Sequence, residues 1–231
     1  MIKLKAVSLK YGNARAVQDV SITVERGSRI ALMGASGSGK TSLLRLIAGL
    51  VVPDSGEVVI SGQICSSSEV FIPPGRRNIG FVFQEPALWP HLTLFRNVIY
   101  GLENPASRES RDRASDVLKR LGLSDLAGRK PHQVSGGEAQ RASIARAVAP
   151  RPAIILMDEP LTGLDDKLKD SVIDFLAGET EKNGVTMVMA AHDEIAAGKL
   201  CQSAIRMERG RIIGTEVRKK GRAPEKMDSE G

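Results

Sequence analysis

The stretch GASGSGKT, Gly34 to Thr41, constrains the fold more than any other part of this chain. It fits the pattern GxxxxGKT. It sits between RIALM (29–33), an apolar run of strand length, and SLLRLIAGL (42–50), whose apolar spacing is helical and which stops at a glycine. Strand, glycine loop and helix in that order build a cradle for an anion. The small residues let the backbone N–H groups of Gly34, Ala35, Ser36, Gly37, Ser38 and Gly39 converge, and the helix N-terminus, which takes in Ser42, adds partial positive charge. Lys40 has the reach for the β and γ phosphates of a nucleotide, and the Thr41 hydroxyl is placed to ligate magnesium. A bare glycine-rich turn would match the composition but not the context on both sides.

The rest of the chain supplies a matching frame. Alternation in IKLKAVSL, then VSITV after Asp19, RIALM, and EVVIS after the turn signal PDSG predict strands in the first part. IGFVF (79–83) is a further short strand ending at Gln84. From about 85 to 149 the spacing turns helical, in RNVIYGL, RDRASDVLKRLGL and VSGGEAQRASIARAV, with no convincing strand between them. Strands resume with AIILM and VTMVMA around a helix over roughly 167–181, and a hairpin is expected around ERGR. The expectation is an α/β fold: a P-loop NTPase core of the RecA-like kind with a mostly parallel sheet covered on both faces. An antiparallel β portion stands at its N-terminus and a helical subdomain is inserted at about 85–149. The unit is expected to span 1–215, with a charged tail at 216–231.

At 231 residues, 42% hydrophobic and 26% charged, the chain has the makings of one sizeable core. Its 33 Lys and Arg stand against 27 acidic residues, which reads as an ordinary basic surface, so no nucleic-acid partner is expected. Cys65 and Cys201 lie far apart without metal spacing, and the first residues lack a secretory apolar run, so a cytoplasmic home is the simplest. The longest apolar runs fall well short of the ~20 residues of a membrane span. If the protein works at a membrane, another chain crosses it.

Three further places carry candidate chemistry. In IILMDEP, Asp158 and Glu159 end a buried strand, where parallel sheets gather their reactive groups. Asp158 suits a magnesium shell and Glu159 a general base toward the γ-phosphate; the plain alternative is a surface acidic turn stopped by Pro160. Gln84 after IGFVF and His192 after VTMVMAA also follow core strands. Gln84 is suited to the magnesium shell or the attacking water and His192 to donating to the γ-phosphate, although a lone Gln or His is commonly structural. Tyr11, with Val17 shortly after, offers an aromatic platform for adenine in a chain that is 3% aromatic; a strand-end tyrosine is the alternative.

VSGGE (134–138) poses a different problem. Ser135 and Glu138 satisfy the capping-box pattern S-x-x-E, yet Gly136 and Gly137 weaken a helix by up to about 1 kcal/mol each relative to alanine. Bare backbone at a helix N-terminus suits a phosphate, but Gly34–Thr41 already supplies one cradle.

With KYGNARAV, GASGSGKT, FVFQEP, VSGGEAQR, ILMDEP, LTGLDD and AAHDE in this order, the chain resembles the nucleotide-binding subunit of an ABC transporter over roughly residues 1–215. The resemblance implies ATP and magnesium as ligands, with Tyr11 stacking on adenine, Gln84 sensing the γ-phosphate and the membrane partner, Glu159 as catalytic base and His192 as switch histidine. It implies that Ser135, Gly136, Gly137 and Glu138 cover the ATP of a second copy, and that Asp165 lies in the loop communicating across that dimer. Transmembrane permease subunits would dock near QEPALWPHLTLFRNV, and the chain would sit peripherally on the cytoplasmic face of the inner membrane.

GRRNIGFVFQ and LWPHLTLFRNV look most like importers of the sulfate, spermidine, ferric iron, thiamine and phosphonate type, which work with a periplasmic binding protein. A soluble relative acting on DNA, ribosomes or cluster assembly is the alternative; it would usually carry a long coiled-coil insertion or a second cassette. About 39 residues follow His192, so no further sensing domain is expected. Arg96, Gly163 and EIAAGKLCQSA depart from the family pattern, as does Glu138, where glutamine is more frequent. A carboxylate aimed at the γ-phosphate would repel it, so Glu138 is expected to turn back onto the Ser135 N–H.

Overall fold

The computed structural model describes residues 1–217. It opens with β1 (Ile2–Tyr11) and β2 (Ala14–Val24), an antiparallel pair. β2 begins well before VSITV, because Asp19 is a bulge within the strand and not a boundary. Asp19 (φ 50°) and Ala6 (φ 51°) both take the left-handed conformation, and serine hydroxyls replace the lost ladder partners: Ser8 Oγ accepts from Asp19 N at 3.0 Å and Ser21 Oγ from Ala6 N at 2.9 Å.

β3 (Arg29–Met33), buried throughout, runs into the glycine loop and α1 (Lys40–Ala48), which Gly49 closes with φ 76°. β4 (Ser55–Ile60), β5 (Gln63–Ser66) and β6 (Ile79–Val82) follow. Then come α2 (Leu94–Ile99), α3 (Arg108–Arg120) and α4 (Gly136–Val148). The chain continues through β7 (Ile154–Asp158), α5 (Asp166–Asn183), β8 (Thr186–Ala191), α6 (Glu194–Leu200), β9 (Ser203–Glu208) and β10 (Arg211–Val217).

Two sheets result. One is antiparallel, in the order β2-β1-β4-β5; the other runs β10-β9-β3-β8-β7-β6, parallel except for β10. The parallel strands are apolar on both faces, and the pleat sends alternate residues to different cores. Ile30, Leu32, Ile154, Leu156, Val188 and Ala190 meet α1 and the antiparallel sheet. Ala31, Met33, Ile155, Met157, Met187 and Met189 meet the other core, built with α2 to α6. α1 is thus sandwiched between the sheets, while the helical stretch between β6 and β7 shares its core with the far face of the parallel sheet.

No helix among the described residues is long and apolar enough to cross a membrane. The charged tail expected from residue 216 lies, from 218 on, outside the described residues; Glu216 and Val217 complete β10.

Candidate active site

The loop between β3 and α1 is open above and packed below. Ala35, Ser36 and Gly37 are exposed, whereas Ser38 and Lys40 are 5% exposed. Lys40 Nζ arcs back over the loop and donates to the carbonyls of Gly34 at 2.7 Å and Ala35 at 3.0 Å. An ammonium held by carbonyls alone has no anion beside it in these bonds, and a phosphate in the cradle would supply one. Ser38 Oγ is buried without a hydrogen-bond partner among the described residues.

Asp158 follows from the pleat. It continues the series Ile154, Leu156, so it faces α1, and its Oδ1 accepts from Thr41 Oγ1 at 3.0 Å. Burial pushes the Asp158 carboxyl above its ordinary range; the Thr41 bond opposes this and the neighbouring Glu159 charge adds to it. A cation between these oxygens would reverse the balance.

Glu159 leaves the strand in the left-handed conformation (φ 47°), a strain uncommon for a non-glycine residue, with its N–H donating to Ala190 O at 3.0 Å. That turn aims its carboxylate away from Asp158's face. Its Oε2 accepts from Gln84 Nε2 at 3.3 Å and lies 3.3 Å from His192 Nδ1. Gln84, Glu159 and His192, which end β6, β7 and β8 or stand just past them, therefore converge on one oxygen. Behind Glu159 lies a cavity of about 140 Å³ bounded by Leu161, Lys169, His192, Asp193 and Ala196.

Tyr11 ends β1 and is 45% exposed, available as a stacking surface. Val17 is not: it is 1% exposed and packed in the core beneath α1, so it is a support and not a second face for an aromatic ligand. The spacing placed Val17 near Tyr11 but carried no information on which way its strand position points.

Ser135 N-caps α4 with a capping box: Ser135 N donates to Glu138 Oε2 at 2.7 Å and Glu138 N to Ser135 Oγ at 3.3 Å. These bonds hold the Glu138 carboxyl below its ordinary value. Ser135 and Gly136 are exposed, and Gly137 lies against Leu164, a Cβ there coming within 3.2 Å of Leu164 Cδ2. Asp165 caps α5, its Oδ1 accepting from Leu168 N at 3.0 Å. Among the described residues no hydrogen bond joins Ser135–Glu138 to the Gly34–Thr41 loop.

A family model described as ABC transporter matches residues 17–162. The chain is 40% identical over 215 residues to the Fe(3+) ions import ATP-binding protein FbpC of Pseudomonas fluorescens, covering 92% of this chain and 60% of that protein. It is 37% identical to the putrescine transport ATP-binding protein PotG of Escherichia coli, over 92% of this chain and 56% of that protein. It is 38% identical to the probable sulfate/thiosulfate import ATP-binding protein CysA of Chlorella vulgaris, over 92% of this chain and 89% of that protein. The chain thus spans about three-fifths of the length of the first two of these relatives. Among solved structures it is similar to the dimeric post-hydrolysis state of an ATP-binding cassette bound to ADP and Pi. That likeness has a TM-score of 0.84 and 34% identity over 94% of this chain and 98% of that one.

Proposed function

The chain belongs to the ABC transporter family, and from that premise we propose that it binds and hydrolyses ATP, as a closing pair of subunits, to drive a membrane importer. The observation that carries this reading is the convergence of Gln84 and His192 on Glu159 Oε2, next to the Thr41–Asp158 pair.

ATP enters with its phosphates over the exposed loop amides and its adenine on Tyr11. Lys40 exchanges the carbonyls of Gly34 and Ala35 for phosphate oxygens. Thr41 and Asp158 fit magnesium: both present hard oxygen donors, and so small a protein set leaves room for the waters and phosphate oxygens that this ion keeps. Bound there, magnesium would neutralise charge on the β and γ phosphates. Glu159 takes a proton from water as the water oxygen attacks the γ-phosphorus, and the bridging oxygen leaves with ADP. Gln84 orients that water and His192 donates to the γ-phosphate. Ser135 and the Gly136 and Gly137 amides close over the nucleotide of the second copy, with Asp165 at the same seam. Glu138 stays on its own helix cap.

The relatives' names as import ATP-binding proteins support a place at the cytoplasmic face of a membrane, with permease subunits and, through them, a periplasmic binding protein. In membranes gently solubilised from native cells, the chain should co-purify with integral membrane proteins, and its magnesium-dependent ATP hydrolysis should vanish in Lys40→Ala. Recovery with ribosomes or nucleic acid alone would replace transport by a soluble role; undiminished hydrolysis in Lys40→Ala would remove the loop from the chemistry.

A further inference from the structure

The underside of the glycine loop rests on the far end of the chain. Gly210, at the turn between β9 and β10, donates its N–H to the Ser38 carbonyl at 2.9 Å and accepts from Gln18 N on β2 at 2.8 Å. Gln18 Nε2 donates to the neighbouring carbonyl of Arg209 at 2.6 Å, so one side chain and two backbone groups tie β2, the turn and the loop together. The approach is close throughout. A Cβ on Gly34 would lie 2.3 Å from Met207 O, one on Gly39 2.4 Å from Ala16 O, and one on Gly210 2.9 Å from Ala16 O. Backbone meets backbone at each point, so nothing flexible can yield. Arg209 (φ 46°) and Gly210 (φ 78°) both adopt left-handed conformations, the geometry of a tight two-residue hairpin turn.

We propose that Gly210 is a positioning residue for nucleotide binding: the Arg209–Gly210 turn, with Met207 and Ala16, clasps the back of the loop and fixes the direction of its phosphate-facing amides. The inference rests on the reading of Gly34–Thr41 as the ATP phosphate cradle. The clasp holds Gly34, Ser38 and Gly39 but, among the described residues, makes no hydrogen bond to Gln84, Glu159 or His192. Loosening it therefore weakens phosphate binding alike in the ground state and the transition state, which raises KM and leaves kcat nearly unchanged. A nucleotide in the cradle in turn steadies Ser38, so the Gly210 amide becomes better protected.

The test compares the full-length wild-type chain with Gly210→Ala, Gln18→Leu and Arg209→Gly, using fluorescent mant-ADP with magnesium, steady-state ATP hydrolysis and amide hydrogen exchange. Gly210→Ala should raise the mant-ADP Kd and the KM for ATP about tenfold with kcat within about twofold. Gln18→Leu should shift both in the same direction by about threefold, while Arg209→Gly, which keeps every backbone bond and relieves a left-handed side chain, should bind as the wild type does. In the wild type, exchange at Gly210 should slow on nucleotide binding. Folded Gly210→Ala and Gln18→Leu with wild-type KM and Kd, or a Gly210 amide indifferent to nucleotide, would overturn the clasp. Failure of the wild-type chain itself to bind mant-ADP would instead overturn the reading of the cradle.

Discussion

Arg77 is 4% exposed, and among the described residues no carboxylate is one of its hydrogen-bond partners. Nε donates to Ile72 O at 2.7 Å, Nη1 to Leu46 O and Ile47 O at 3.3 and 2.9 Å, and Nη2 to Cys65 O and Ser66 Oγ at 2.9 and 2.7 Å. Two of those carbonyls end α1, where the helix dipole is negative, so the guanidinium is compensated by oriented backbone even as burial lowers its pKa from the ordinary value. Arg77→Met should cost about 3 kcal/mol in urea unfolding, because the carbonyls lose their donors; a loss below about 1 kcal/mol would show that water replaces it. Nothing in PPGRRN marks Arg77 as the buried arginine and Arg76 as the exposed one, since that choice is made by a loop whose path depends on β5 and α1. Glu138 is the opposite case. The S-x-x-E spacing is a local rule, and the reciprocal cap it predicts is the cap that forms.

At the scale of elements, one carboxylate joins the helical stretch to the helices of the parallel sheet. Glu179 on α5 accepts from Arg113 at 2.6 Å and from Arg120, both on α3, while Arg113 also donates to Ala149 O at 3.2 Å, just past α4. Burial pushes the Glu179 carboxyl up, but the two arginines, Arg113 first, more than reverse this and hold it below its ordinary value of 4.5. A carboxyl lowered on folding stabilises above its unfolded pKa, and that stability is lost as pH falls through the folded value. Glu179→Gln should therefore cost about 3 kcal/mol at pH 7. Below about pH 4 it should flatten the decline of stability seen in the wild type, as followed by circular dichroism of denaturant unfolding. Parallel acid profiles for the two proteins would contradict this. Such pairings are not legible in a sequence; the elements they join are. Apolar spacing in RDRASDVLKRLGL predicts α3, and the helix expected over 167–181 forms as Asp166–Asn183, lengthened to its Asp165 cap and its glycine stop. β2 is misjudged because the serine-filled bulge at Asp19 breaks the alternation without ending the strand.

For the whole molecule, the order strand, loop, helix, then further strands ending in Gln84, Asp158, Glu159 and His192 is enough to bring those residues to one edge, because parallel strands share a direction. The sandwiching of α1 between two sheets and the clasp on the loop depend on contacts between residues far apart in sequence, such as Ser38 with Gly210, and leave no local pattern. Among the described residues the Ser135–Glu138 cap starts α4 but makes no hydrogen bond to the glycine loop, so on the proposed reading its exposed glycine backbone serves the nucleotide of a second copy. The proposed shared site would need a second chain before hydrolysis. The most direct measurement is multi-angle light scattering of Glu159→Gln with magnesium and saturating ATP. Its mass should double with ATP and return to that of one chain with ADP, with hydrolysis nearly abolished. A variant that stays monomeric in ATP, or turns it over at the wild-type rate, would contradict a shared site with Glu159 as its base.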